Sequence, residues 1–115
     1  MRLTSLRRLR GGVAGDTVDE GLYSRQLYVM GRAAQHSLAA SAVLLIGLSG
    51  LGAEIGKNVV LAGVRTLDVY DETPASLSDL SSSWLLREED VGTRRMAHAV
   101  DRLGALNPHV HVGQA

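Results

Sequence analysis

Cysteine is absent from this chain of 115 residues, which excludes disulfides, cysteine-ligated metal sites and thiol catalysis, and fits a reducing compartment. Net charge is absent too. Twelve lysines and arginines balance twelve aspartates and glutamates, which leaves no electrostatic case for nucleic acid or anionic lipid as a partner. No apolar run approaches the roughly 20 residues that a membrane-spanning helix needs, so a soluble chain is expected. Internal repeats and long low-complexity segments are also lacking. Hydrophobic residues make up 45% of the chain, as in ordinary globular proteins, and the length allows one domain with a modest core.

Acids are missing from the first fifteen residues, where Arg2, Arg7, Arg8 and Arg10 accompany Leu3, Leu6 and Leu9. An arginine-rich, acid-poor start also suits a mitochondrial presequence, but Gly11, Gly12 and Gly15 end any helix early. Residues 1–18 are therefore expected to be a disordered basic tail, and residues 19–115 the folded part.

What is present is centred on Ala42 to Asp71. The apolar run Ala42-Val43-Leu44-Leu45-Ile46 suits a strand buried on both faces. It is followed by Gly47-Leu48-Ser49-Gly50-Leu51-Gly52, a helix to Ala62 and a second strand, Thr66 to Asp71. This is a strand-turn-helix-strand unit with a parallel crossover, the front end of a Rossmann-like α/β fold. In the helix Leu51, Ile55, Val59 and Ala62 line up as an expected buried stripe, Gly56 allows close approach to the sheet, and Gly63 is placed to cap the end. Upstream, Leu22, Tyr23, Gln26, Leu27 and Met30 recur at helical spacing with Gly31 as a left-handed cap; Arg25 points off that stripe. A connector helix spans Ala33 to Ala40. Downstream, the three serines Ser81, Ser82 and Ser83 predict a short or irregular helix, and Arg87 to Asp90 a solvated loop. A helix is predicted from Thr93 to Leu106, with Met96, Val100, Leu103 and Leu106 buried. Asn107-Pro108 stops it, and Val110 to Val112 makes a third parallel strand.

As chemistry the glycine turn is ambiguous. The dinucleotide fingerprint asks for glycine at its first, third and sixth positions; here they hold Gly47, Ser49 and Gly52, with an additional Gly50. Asp71 at the end of the second strand suits a ribose hydroxyl, and Asp71-Glu72-Thr73-Pro74 equally suits a turn. His36 and His98 are isolated, and His109 with His111 lack a third ligand, so the histidines suggest no metal site.

The segments Glu20-Gly21-Leu22-Tyr23-Ser24-Arg25-Gln26-Leu27-Tyr28 and Gly47-Leu48-Ser49-Gly50-Leu51-Gly52-Ala53-Glu54-Ile55-Gly56-Lys57-Asn58 closely resemble the beginning of the ubiquitin-activating enzymes. The likeness continues through Asp79-Leu80-Ser81-Ser82 and Leu86 to Asp90 as far as Leu106-Asn107-Pro108. The wording of the first segment is most similar to the single-chain enzymes of this ubiquitin-like modifier-activating family, which has a ThiF/MoeB-like fold.

The resemblance implies a three-stranded partial ThiF/MoeB-like sheet and a place in the inactive adenylation half, truncated. In that family the second, active half adenylates the modifier's C-terminus with ATP and magnesium, and a catalytic cysteine then takes the modifier as a thioester. This chain departs from the active pattern: Ser49 replaces the middle glycine and Asp71-Glu72-Thr73 the paired aspartates. Asp79, Ser82 and Ser83 stand for asparagine, arginine and glutamine, and Arg95 and Ala97 for a lysine and an aspartate. Gly47, Gly50, Gly52 and Asp71 are then vestigial nucleotide-site positions, and no ATP or magnesium is expected on this segment alone. By the same resemblance Arg25 reaches across the interface to the ATP phosphates of the active half. The implied partners are that half, in the same chain or a separate subunit, ubiquitin or a ubiquitin-like modifier, and conjugating enzymes through domains not present here. The implied location is cytoplasmic and nuclear. Alone, such a truncated piece is expected to be marginal or aggregation-prone. Two alternatives stay open: a non-catalytic subunit paired with a separate active half, and a small nucleotide- or NAD-binding Rossmann domain.

Overall fold

The computed structural model describes Asp19 and residues 21–115; the tail expected over residues 1–18 lies outside the described residues. The chain runs from α1 (Ser24–Met30) and α2 (Arg32–Ala39) into β1 (Ala42–Ile46), α3 (Gly50–Ala62) and β2 (Thr66–Tyr70). Two 3-10 turns (Leu77–Ser81 and Glu88–Asp90) then lead to α4 (Ala99–Gly104) and β3 (His111–Gln114). The strands form one parallel sheet in the order β1-β2-β3, the α/β arrangement that the apolar runs and intervening helices predict.

Register decides what the core contains. Val43 pairs with Leu67 and Leu45 with Val69, while Leu67 pairs with Val112, so these five side chains share one sheet face. They join Val60 of α3 and Ala99 and Leu103 of α4 in a single apolar cluster. Leu67 and Leu103 are wholly buried, each stabilising the fold by about 1.5–3 kcal/mol. β2 is buried from Thr66 to Val69. β1 lies at an edge, only half-buried, with Ile46 67% exposed at its end; among the described residues nothing pairs with its outer side.

Besides β1, which is half-buried rather than buried on both faces, and the loop over Arg87 to Asp90, which folds into a 3-10 turn with Asp90 buried, three expectations need correction. The buried face of α3 is Gly52, Ala53, Gly56 and Val60, nearly opposite the stripe of Leu51 and Ile55, which are 72% and 42% exposed. Close approach explains the reversal. A Cβ on Gly56 would lie 3.1 Å from Leu45 Cδ2 and 3.4 Å from Leu103 Cδ2, so only the small-residue face fits against the sheet. Second, the helix expected from Thr93 begins only at Ala99. The backbone before it pairs with the loop after β2: Arg95 N–H donates to Thr73 O, Ala75 N–H to Thr93 O, and Gly92 N–H to Ala75 O. Met96, Leu103 and, in part, Val100 and Leu106 are nevertheless buried as the periodicity predicts. Third, Leu22 and Met30 are exposed, and only Tyr23 of that stripe is fully buried. Gly31 has φ 83 and ψ 167, a glycine conformation but not a left-handed helical cap. Gly63, at φ 89 and ψ 39, is the left-handed cap that the sequence pattern places there.

Candidate functional site

β1 ends at Ile46, and Gly47 turns the backbone with φ +97, its N–H donating to Tyr70 O at 2.9 Å. Ser49 precedes the first turn of α3 without a side-chain capping bond. Gly52 sits where the turn closes: a Cβ there would overlap the Gly47 carbonyl oxygen. A Cβ on Gly50 would lie 2.7 Å from Ser82 Cβ and 2.8 Å from Ser82 O and Oγ. The serine segment therefore packs directly on the turn.

Asp71 faces the turn from the end of β2 and is buried. Its carboxylate accepts the Leu48 N–H at 2.7 Å and the Thr73 N–H at 2.8 Å, the latter being the turn geometry that its sequence context suggests. Arg95 stands 3.4 Å from Asp71 Oδ2 and clasps Asp79 through Nε at 3.3 Å and Nη2 at 3.2 Å. Burial of Asp71 opposes its ionisation, but the N–H groups of Leu48 and Thr73 and the Arg95 guanidinium outweigh it and lower its pKa. The pKa of Asp79 is lowered chiefly by the Ser76 N–H, and further by Arg95. A carboxylate committed to two backbone donors and an arginine is poorly placed to take a ribose hydroxyl, and Ser82 closes the approach to Gly50. A ribose would find this carboxylate already engaged, although a cleft of about 480 Å³ lined by Gly47, Ser49, Asp71, Thr73 and Arg95 lies open beside the turn. A ligand at a hundred times its dissociation constant stabilises a fold by about 2.7 kcal/mol. ATP or NAD at millimolar concentration is expected to leave the urea unfolding midpoint of this chain unchanged; a rise on that scale would show the turn open to phosphate.

Arg25 belongs to a different place. α1 lies at the C-terminal end of α3, where Gln26 Nε2 donates to Ala62 O at 2.7 Å, whereas the glycine turn lies at the N-terminal end. The thirteen residues of α3 separate the two by about 18 Å at 1.5 Å per residue, well beyond the length of an arginine side chain. Arg25 is exposed and borders a cleft of about 290 Å³ with Leu22, Leu61, Leu106 and Asn107; among the described residues it has no hydrogen-bonding or ionic partner. The structure so gathers Gly47, Gly50, Gly52 and Asp71 and leaves Arg25 apart from them.

Near the turn, two contacts escape a reading of the sequence. Trp84 Nε1 donates to Ala53 O at 3.0 Å, tying the serine segment to α3. Arg95 acts as a clasp between Asp71 and Asp79, for which its place in a run of basic residues carries no signal.

The sequence matches the ThiF family over residues 23–114. It is 50% identical to ubiquitin-activating enzyme E1 1 of Schizosaccharomyces pombe over 97 residues, covering 84% of this chain and 10% of that protein. It is also 50% identical to human ubiquitin-like modifier-activating enzyme 1 over 95 residues, 83% of this chain and 9% of that one. The chain spans about a tenth of the length of these curated relatives. Among solved structures, the E. coli tRNA N6-threonylcarbamoyladenosine dehydratase TcdA, in complex with AMP, superposes with a TM-score of 0.78 at 15% identity, covering 91% of this chain and 42% of that one. The E. coli enzyme MccB gives 0.76 at 20% identity, covering 82% and 29%. Identities this low establish the shared fold alone.

Proposed function

The chain belongs to the ThiF family, and on that premise we propose that residues 19–115 serve as the non-catalytic adenylation-fold half of a ubiquitin-like modifier-activating enzyme. Its chemical contribution is Arg25, given to the ATP phosphates of a separate, active half. The observation that carries this reading is the separation of Arg25 from the chain's own glycine turn: an exposed guanidinium on a short helix, without a partner among the described residues, is available to a neighbour and out of reach of its own turn.

The turn itself supports the same division of labour. Gly47, Gly50 and Gly52 keep the shape of a phosphate loop, while Ser82 packs on Gly50 and the Asp71 carboxylate is engaged by Leu48, Thr73 and Arg95; we read these as vestigial nucleotide-site positions. The exposed apolar side chains of Ile46, Leu51, Ile55, Tyr28 and Val29 suit a half that buries them against another domain. The active half would then bind ATP and magnesium, adenylate ubiquitin or a related modifier and lead to thioester transfer, with conjugating enzymes downstream, in cytoplasm and nucleus. A guanidinium helps such a step because it offers a planar fork of donors and stays charged, and adenylation builds negative charge on the departing pyrophosphate.

The test uses the S. pombe enzyme carrying residues 19–115 in place of its matching segment. Modifier-dependent ATP–pyrophosphate exchange is expected to persist, and Arg25→Ala to lower it about a hundredfold, the scale of one lost charge-stabilising donor. Exchange unchanged by Arg25→Ala would overturn the assignment.

A further inference from the structure

α1 has seven residues, no side-chain cap and no buried residue within it, and it exposes Tyr28 at 93% and Val29 at 82%. A helix this short is not stable in water alone. Something outside it must therefore hold it and set its rotation.

Two side chains do so, and they flank Arg25. One is Gln26. Its Nε2 donates to Gln35 Oε1 and to Ala62 O, both at 2.7 Å, and Gln35 Nε2 donates to the same Ala62 O at 3.1 Å. The other is Tyr23, whose hydroxyl accepts from Asn107 Nδ2 at 2.8 Å. That amide also donates to Val60 O at 3.0 Å, while Asn107 Oδ1 accepts the His109 N–H at 3.0 Å. Gln35, Asn107 and Tyr23 are 0%, 3% and 7% exposed.

The accepting carbonyls belong to the last turn of α3; Val60 O also takes the Gly63 N–H, and Ala62 O lies where helical partners run out. The bonds that finish α3 are thus the bonds that hold α1. Gly63 makes room for them: a Cβ there would lie 2.7 Å from the Tyr23 ring. Buried amides tolerate few arrangements, because an unpaired one is costly. The network therefore fixes the rotation of α1 and with it the point from which Arg25 leaves the helix, an exposed position at the cleft bordered by Leu22, Leu61 and Leu106.

We propose that Tyr23, Gln26, Gln35 and Asn107 are positioning residues for Arg25, a polar bolt from the C-terminal end of α3 that aims the guanidinium out of this chain. This rests on the role of Arg25 proposed above. The experiment is a double-mutant cycle in the S. pombe enzyme carrying residues 19–115. Gln26→Met keeps the volume and removes both donated bonds; Tyr23→Phe keeps the ring over Gly63 and removes only the hydroxyl. Each is expected to lower kcat for ATP–pyrophosphate exchange about tenfold, as a small misplacement of a charge-bearing group does, with KM for the modifier unchanged. Neither is expected to lower it further once Arg25 is alanine. If the single losses instead multiply with that of Arg25→Ala, or if both variants exchange at the parent rate, the positioning role is overturned while that of Arg25 stands. If Arg25→Ala alone has no effect, both fall together.

Discussion

Gly52→Ala is expected to abolish folding of the domain, although it adds a single methyl group to a helix. The new Cβ would overlap the Gly47 carbonyl oxygen and lie 2.9 Å from the Gly47 carbonyl carbon. Neither atom belongs to a side chain that can swing away. Gly47 is held by its own N–H bond to Tyr70 O and by a positive φ that other residues rarely adopt;. On the other side, Gly52 and Ala53 are buried against the sheet, so the helix cannot back off without opening the core. Relief requires moving the start of α3 away from β1, at a cost of more than about 4 kcal/mol, in the exceptional range for one substitution. A small domain has roughly 5 kcal/mol in total at the low end. Trp84 is the chain's one tryptophan and bonds to Ala53 O, so its emission during urea unfolding reports on this junction directly. Gly92→Ala is the control, because Gly92 has positive φ but nothing within 4 Å of its notional Cβ; about 1 kcal/mol is expected there. A Gly52→Ala midpoint equal to that of Gly92→Ala would refute the steric account.

Asp90→Asn is expected to be the next most damaging change. Asp90 is 2% exposed and accepts from Arg102 through both carboxylate oxygens, from the Arg87 N–H at 2.8 Å, and faces His98 Nε2 at 3.4 Å. Arg102 in turn reaches Leu85 O. This group pins the second 3-10 turn to α4. Removing the carboxylate charge leaves a largely buried guanidinium short of a counter-ion, which costs about 3–5 kcal/mol.

The same site sets the acid limit. The Arg102 guanidinium beside Asp90 holds its carboxyl below the usual carboxylate range; burial opposes this, and the Arg87 N–H and His98 reinforce it. A carboxyl with a lowered folded pKa contributes its full stability above its unfolded pKa, about 3.9, and loses it as pH falls through the lower folded value. Asp71 and Asp79 are shifted in the same direction. The chain is therefore expected to lose stability below about pH 4. The gap in urea midpoint between parent and Asp90→Asn should be widest at neutral pH and narrow as the solution is acidified, because a protonated aspartic acid resembles asparagine. An equal gap at pH 3 and pH 7 would exclude the charge as the cause.

The sequence by itself determined the order of strands and helices, the parallel crossover, the glycine turn, the left-handed cap at Gly63 and the resemblance to the activating enzymes. All of these are written in neighbouring residues: apolar runs, helical spacing and glycines at fixed offsets act within a few positions of one another. Tertiary structure alone decided which face of α3 turns inward, because periodicity finds a large-residue stripe while the short distance to β1 and α4 admits only small residues. It alone turned residues 93–95 into a partner of the loop after β2, since those backbone bonds span some twenty positions. The Tyr23–Asn107 bond joins residues 84 positions apart, and no local pattern marks either as a tether. The distance between Arg25 and the glycine turn, on which the proposed role depends, is likewise a property of how α1 docks. Local sequence chooses the elements, and long-range packing chooses what each side chain faces.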